Sequence, residues 1–550
     1  MHQGTIRYLS QLVMGLGILL LPILVLPFTE QFVVHTKVGI VIVATLVFIA
    51  LYAAQSIITK VLNFTVSPLT IPLFIFGVAI TASTFLSGNY PVENLLGMGG
   101  VYLAFVILAL FGGTLFRAVR TSESVISTLL IVNTILAVTS LLSLVGFGPA
   151  MLFNFILPTP LPVDSLIFNL SGSALVAVQI AVVTLVGAGI AITKRQLQFN
   201  LLQKVGIGIT LFSMLLHGWA LLPGQDTAPV IMPLAANWSV AIDTLRAPRT
   251  ALIGFGPQGF VNASNVFRPE WINSTELWAT NFNQGTTGFF TLLVTTGLIG
   301  VGTFLAIIAV IIKQTKQVSI ETQPLHWMIL TIIAIFFVLP PNTVIIGLLA
   351  FFLAAWIASE SNRFSNIEIH GISVTSKKGK NSHQLQAERS EQDNHILYQS
   401  PVVVITLSVV LLLLVGAGFY GYGRAYAAEV TLLNATKAAG RENVVEMYEL
   451  QQRAVALNPY MDAYRRRYSS TNLGIAAALA QQAEDAGEEN VSEADAAQFS
   501  ELVQQAIREA RAATALDELD AANWLNLAQV YRSLIGVAED AEQWSVTSYI

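Results

Sequence analysis

The 550-residue chain contains no cysteine, which excludes a disulfide framework, a thiolate metal site and a cysteine nucleophile. Charge is scarce too: Asp, Glu, Lys and Arg make up 11% of the residues, against 54% hydrophobic residues and a mean hydropathy of +0.65. A soluble globular chain carries about 25% charged residues, so a water-soluble fold of this composition would leave its apolar surface uncovered. No basic patch offers itself to nucleic acid. The chain has long apolar runs instead.

A helix needs roughly 20 predominantly apolar residues to cross a bilayer core. Such runs fall at 9–27, 38–58, 68–87, 98–116, 124–146, 173–193, 204–222, 286–312, 325–340, 343–358 and 400–422. The expected fold class is all-α: a polytopic helical membrane protein of about eleven spans with a soluble helical-repeat domain behind them. The first run, Leu9 to Phe28, lacks a small-residue cleavage pattern and reads as a retained span, not a signal peptide. Pro340-Pro341-Asn342 separates the ninth and tenth runs, either as a tight hairpin or as a break between half-helices. The membrane core is expected over 1–358, with a long polar loop at 223–285. A disordered, cytoplasmic Ser/Lys/Gln/Glu-rich linker is expected over 359–399, the last span over 400–422 and the soluble domain over 424–550.

Charge sets the expected orientation. With the N-terminus in the cytoplasm, the cytoplasmic side of residues 1–423 collects 14 Lys and Arg, and the outer side only Lys37, Arg246, Arg249 and Arg268. Loop 223–285 and the C-terminal domain then both lie outside the cytoplasm. From Arg424 onward there are 10 Lys and Arg against 19 Asp and Glu, so this domain is acidic.

The tail is rich in Ala, Leu, Glu, Gln and Arg. Ala454 to Pro459, followed by Tyr464 and Tyr468, is echoed by Ala512 to Asp517, followed by Trp524 and Tyr531. Small residues, an Asn/Asp turn and an aromatic-led helix resemble tetratricopeptide repeats, with a generic helical hairpin bundle as the alternative. Stacked repeats generally need three or more units and a cap. The stack is therefore expected to continue past Ile550 or to be completed by a partner protein.

Loop 223–285 holds the candidate chemistry. Arg246 and Arg249 precede Gly254-Phe255-Gly256-Pro257-Gln258-Gly259-Phe260. Glycines allow backbone to approach a ligand closely, and the planar guanidinium fork suits phosphate oxygens. The alternative is that these arginines pair with Asp226, Asp243, Glu270 or Glu276, or touch lipid head groups. Arg268 and Trp271 follow in the same loop. Trp219, Trp238, Trp271 and Trp278 either stack on sugar faces or sit at the membrane interface.

Residues 245–305 resemble the O-antigen ligase and polymerase superfamily, bacterial membrane glycosyltransferases acting on undecaprenyl-pyrophosphate-linked glycans. Gly254, Gly256 and Phe260 match the family's Gly-x-Gly-x-x-x-Phe turn, with Arg246 or Arg249 at its arginine. Thr296-Gly297-Leu298-Ile299-Gly300 matches the end of the family's next motif, and Ser83–Ser87 and Asn94-Leu-Leu-Gly97 resemble its usual start. The chain departs from the family where its histidine, asparagine and acidic residue are expected, because Thr286, Thr287 and Thr295 stand there. A threonine hydroxyl takes no proton at neutral pH, so a base must come from elsewhere; His217, His35, Asp164, Asp226 and Asp243 are the candidates.

The resemblance implies transfer of a glycan from a polyprenyl-pyrophosphate carrier to a glycan or protein hydroxyl, at the outer face of a bacterial plasma membrane. Arg246 and Arg249 would match the charge of the departing pyrophosphate, His217 or Asp243 would take the proton, and Gly254, Gly256, Phe260, Arg268 and Trp271 would bind substrate. No metal and no cofactor are expected, because the outer loops hold no carboxylate cluster. Two other functions compete: a non-catalytic scaffold that displays the repeats outside the cell, and a flippase for lipid-linked sugars.

Overall fold

The computed structural model describes residues 3–87, 91–115, 121–163, 165–194, 199–370, 373–377, 401–486, 492–536 and 538–549. Each expected apolar run is helical. In chain order these helices are α1 (Gln3–Ile23), α2 (Phe32–Thr59), α3 (Thr70–Leu86), α4 (Met98–Leu115), α5 (Thr121–Leu144), α6 (Ala174–Thr193), α7 (Leu201–Ala220), α8 (Gly288–Gln314), α9 (Gln323–Val338), α10 (Thr343–Ser359) and α11 (Val402–Gly440). Eight helical segments among the described residues are long and apolar enough to cross a membrane. The helices α3 and α10 and the apolar stretch of α4 (Met98–Thr114) are shorter, at 10–17 residues.

One of these shorter helices, α10, lies deepest. Every residue of α10 from Val344 to Ala358 is buried, so the bundle is built around it. Its neighbour α4 approaches closely at Gly112, where an added Cβ would lie 2.6 Å from the Ala354 Cβ. Pro340 and Pro341 end α9 by withholding backbone donors. Asn342 starts α10 by accepting from the Ile345 amide at 2.9 Å. The Pro-Pro-Asn segment is thus a tight hairpin.

One expectation needs correction. The linker over 359–399 does not begin as disorder. Residues Ser365–His370 (β2) pair antiparallel with Leu62–Val66 (β1) and with Ser373–Lys377 (β3), a small sheet at the end of α2. Residues 378–399 lie outside the described residues. The helix that holds the last expected span, 400–422, runs on beyond it: α11 is unbroken for 39 residues to Gly440 and carries the chain directly into the tail.

The tail is a set of helical hairpins: α12 (Val444–Leu457) and α13 (Asp462–Ala486), then α14 (Glu493–Leu516) and α15 (Ala521–Arg532), closed by α16 (Ala541–Tyr549). The two sequence echoes are the turns of these hairpins, at 458–461 and 517–520. Their aromatic residues Tyr464, Tyr468 and Tyr531 are buried between helices.

Candidate functional site

The segments that carry the family resemblance converge at one place. Gly297 breaks α8 with φ 66° and ψ −168°. A break there withdraws the amides that would bond the preceding carbonyls, and the Gly254–Gly256 turn takes them up. Phe255 N–H donates to Val294 O and Gly256 N–H to Thr295 O, each at 3.0 Å. The Ser83 hydroxyl donates to the same Thr295 carbonyl at 2.9 Å. Gly254 (φ 71°, ψ −165°) and Gly256 (φ 95°) hold backbone conformations that glycine alone adopts freely. Asn94 accepts from the Gln258 amide at 2.8 Å, and Gln258 in turn accepts from Met98 N–H at 3.1 Å, capping α4. Phe260 is buried beneath this buckle. The glycines and Phe260 therefore shape backbone; they do not present a surface to a ligand.

Arg249 joins the same assembly. Its Nε and Nη2 donate to Leu86 O at 3.1 and 2.7 Å, placing a cation at the C-terminal end of α3, where the helix dipole favours it. The guanidinium remains exposed. Leu86 also walls an apolar groove of about 550 Å³ between α3 and α4, formed with Phe74, Val78, Phe85, Leu103 and Ile107. Arg246 is 77% exposed and paired with Asp243 at 3.0 Å, as the alternative reading of these arginines anticipated.

The remaining expected site residues lie apart. Arg268 is spent on its own loop, donating to Leu277 O, Trp278 O and Thr280 O at 2.7–3.0 Å. Trp271 is 45% exposed on the short helix Glu270–Ser274. His217 requires correction as a candidate base. It is fully buried, with Nδ1 against Ser213 O (2.8 Å) and Nε2 against Ser140 Oγ (2.9 Å) and the Asn169 amide (2.8 Å). Both ring nitrogens are engaged, and His217 lines neither cavity beneath the tail. Asp164 lies outside the described residues. The threonines at the family's polar positions bond backbone: Thr286 to Met232 O and Thr295 to Thr291 O, both at 2.7 Å.

Residues that sequence reasoning missed lie where the tail meets the bundle. Arg467 of α13 grips Glu30 with two bonds of 2.6 Å, and Glu30 also accepts from Thr436 of α11 at 2.6 Å. Burial alone would raise the Glu30 carboxyl, but the hydrogen bonds from Arg467 and Thr436 and the charge of Arg467 outweigh it and hold it below the ordinary carboxylate range. Asn262 donates to both carboxylate oxygens of Asp517, at 3.2 and 3.1 Å.

Beneath these contacts lie two cavities of about 170 and 530 Å³ that share Val34, Glu93, Gln258 and Ala463 as wall residues. Glu93 precedes Asn94 in the short helix Pro91–Leu96. Burial, with Asp462 and Asp520 adding repulsion against the attraction of Arg466, pushes its carboxyl up to about 7. Asp462, Asp517 and Asp520 also line the larger cavity, with oxygens within 4.8 Å of one another. Arg466 occupies that cluster, 2.9 Å from Asp520 and 3.5 Å from Asp462, and Asn523 and Asn262 fill further acceptor positions. The expectation of no metal rested on the loops; this cluster lies in the tail, and Arg466 supplies its counter-charge.

No known protein family matches the chain, and no curated protein matches it. What the fold defines is a helical bundle with eight segments among the described residues able to cross a membrane, capped at one end by a docked helical domain.

Proposed function

We propose that the chain transfers a glycan from a polyprenyl-pyrophosphate carrier to a hydroxyl acceptor at the outer face of a bacterial plasma membrane. All eleven apolar helices span in this reading, and the tail is a tetratricopeptide-like domain outside the cell that selects a glycan or protein acceptor. The observation that carries the proposal is the convergence of Ser83–Ser87, Asn94–Gly97, Arg249–Phe260 and Thr295–Gly300 into one assembly between the apolar groove and the cavities. The carrier chain lies in the groove between α3 and α4, with its pyrophosphate at Arg249. The acceptor enters the cavity beneath the tail.

The chemistry is a substitution at the anomeric carbon. The acceptor oxygen forms a bond to that carbon, and the bond from the carbon to the pyrophosphate oxygen breaks. Glu93 takes the hydroxyl proton, and the pyrophosphate leaves with the bonding electron pair, its charge matched by Arg249. Glu93 thus fills the place left by Thr286: a carboxylate near 7 is well poised as a base at neutral pH.

One observation favours the scaffold reading, since the threonines at the family's polar positions are all used for backbone bonds. The two readings separate on Glu93→Gln and Arg249→Ala, with surface glycan followed on gels at matched protein level. Transfer predicts loss of the glycan band in both variants. An unchanged band in both sinks it and leaves the scaffold.

A further inference from the structure

The larger cavity has a positively polarised floor that the transfer reading does not use. Lys37, at the start of α2, is 2% exposed and lines the cavity. Its Nζ donates to Pro22 O and Leu24 O, both at 3.0 Å, and no carboxylate pairs with it among the described residues. Two carbonyls at the end of α1 take up part of its charge, and the rest of that charge stands beside the cavity that Lys37 lines. An unpaired buried ammonium is costly.

Two helices of the bundle begin at the same cavity. Ser173 caps α6 and Asn342 caps α10; both residues line the cavity, as do Thr343 and Val344 of the first turn of α10. Helix N-termini carry free amides and about half a positive charge each. A second buried donor lies behind Asn342. Gln179 accepts from the Asn342 amide at 2.7 Å, while its own Nε2, in a residue 1% exposed, has no partner among the described residues. Lys37 and the two helix starts come from three separate parts of the chain and polarise one wall in the same sense.

The rest of the lining has other chemistry. Asn262, Asn283 and Gln284 supply amides, and Asp462, Asp517 and Asp520 carboxylates. Amides and carboxylates are the side chains that bond sugar hydroxyls, as donors and acceptors together. Arg466 offsets one charge of the Asp462 and Asp520 pair, burial raises the Asp462 carboxyl, and burial raises the Asp517 and Glu93 carboxyls to about 7, so the lining is not fully anionic at neutral pH.

We infer that this cavity binds an acidic saccharide, its carboxylate or phosphate seated on Lys37 and the starts of α6 and α10, its hydroxyls against the tail. The inference goes beyond the transfer reading, because it concerns binding alone and holds whether or not the chain is a transferase.

The test is binding of glucuronic acid, glucose 1-phosphate and glucose to the purified full chain in detergent, by calorimetry. The expected result is that at least one acidic sugar binds at least about tenfold more tightly than glucose. Lys37→Met removes that preference. Asn342→Asp, which keeps a capping side chain but adds a negative charge at the floor, weakens the acidic sugar and leaves glucose unchanged. A preference for glucuronic acid over glucose 1-phosphate marks the oxyanion as a carboxylate, and the reverse marks it as a phosphate; either supports the site. Equal binding of acidic and neutral sugars, or no binding of the acidic sugars by the unaltered chain at about 10 mM, overturns it. An unchanged preference in Asn342→Asp overturns it even if Lys37→Met does not fold.

Discussion

Gly254 and Gly297 meet backbone to backbone, and each leaves out the Cβ that would strike the other's segment: Thr295 for Gly254, Leu252 for Gly297. Their dihedrals, near φ 70° and ψ −165°, fall in a region essentially reserved for glycine. Two stretches of the family resemblance are therefore the two halves of one contact.

Gly297→Ala should break that contact. The dihedral penalty alone is about 1–3 kcal/mol, and the collision with Leu252 backbone adds to it. The expected outcome is a lower melting temperature and reduced yield in detergent. Gly302→Ala, five positions along the same helix and facing open space, is the control and should leave stability nearly unchanged.

The Glu93 carboxyl gives the proposed reaction a defined pH dependence. A base acts only when ionised. With Glu93 at about 7, transfer should be level above that pH and fall about tenfold per unit below it. The limb should be missing from the residual activity of Glu93→Gln. A wild-type profile that stays flat from pH 5 to 8 would remove Glu93 from the role.

The grip of Arg467 on Glu30 should hold the tail to the bundle across the physiological range. Because the Glu30 carboxyl is depressed in the docked state, its contribution is present above the ordinary carboxylate pKa and is lost only as pH falls through the lower, docked value. Arg467→Ala should raise limited proteolysis of the tail already at neutral pH. The extra tail proteolysis of Arg467→Ala over the unaltered chain should thus be the same at pH 6 and pH 8 and shrink only in acid.

His217 should prove structural. His217→Phe leaves Ser140 and Asn169 without their shared partner in a buried site, a cost of about 1–3 kcal/mol. The variant should melt earlier, yet its folded fraction should retain wild-type transfer per molecule. Loss of transfer without loss of stability would restore it as a base.

How much of this was legible in the sequence differs by feature. Every apolar run became a helix, because a run of apolar residues carries its own periodicity and length. The strand Leu62–Val66 was not legible, since it reads as a loop between two spans and its partner, Ser365–His370, lies on the far side of the bundle's chain path. Local composition also stopped the last span near Tyr422, whereas Ala- and Leu-rich sequence carries α11 on to Gly440. At the site, the glycine motifs were visible as motifs, but their role as a backbone buckle appears only once Thr295 is beside Gly256. Glu93 stood next to the Asn94 motif without drawing notice, and Lys37 was one charge among the outer cations. Both gain meaning from a tail that folds back onto them from residues 458–520, a proximity that no local pattern encodes.

The most direct test uses the purified chain in lipid vesicles with a polyprenyl-pyrophosphate-linked oligosaccharide and a hydroxyl acceptor, following release of polyprenyl pyrophosphate. Transfer by the unaltered protein, with a loss of about 100-fold or more in both Arg249→Ala and Glu93→Gln at unchanged melting temperature, is the predicted result. Release that is equal in all three proteins, or absent from the unaltered one with donor and acceptor both saturating, would contradict it.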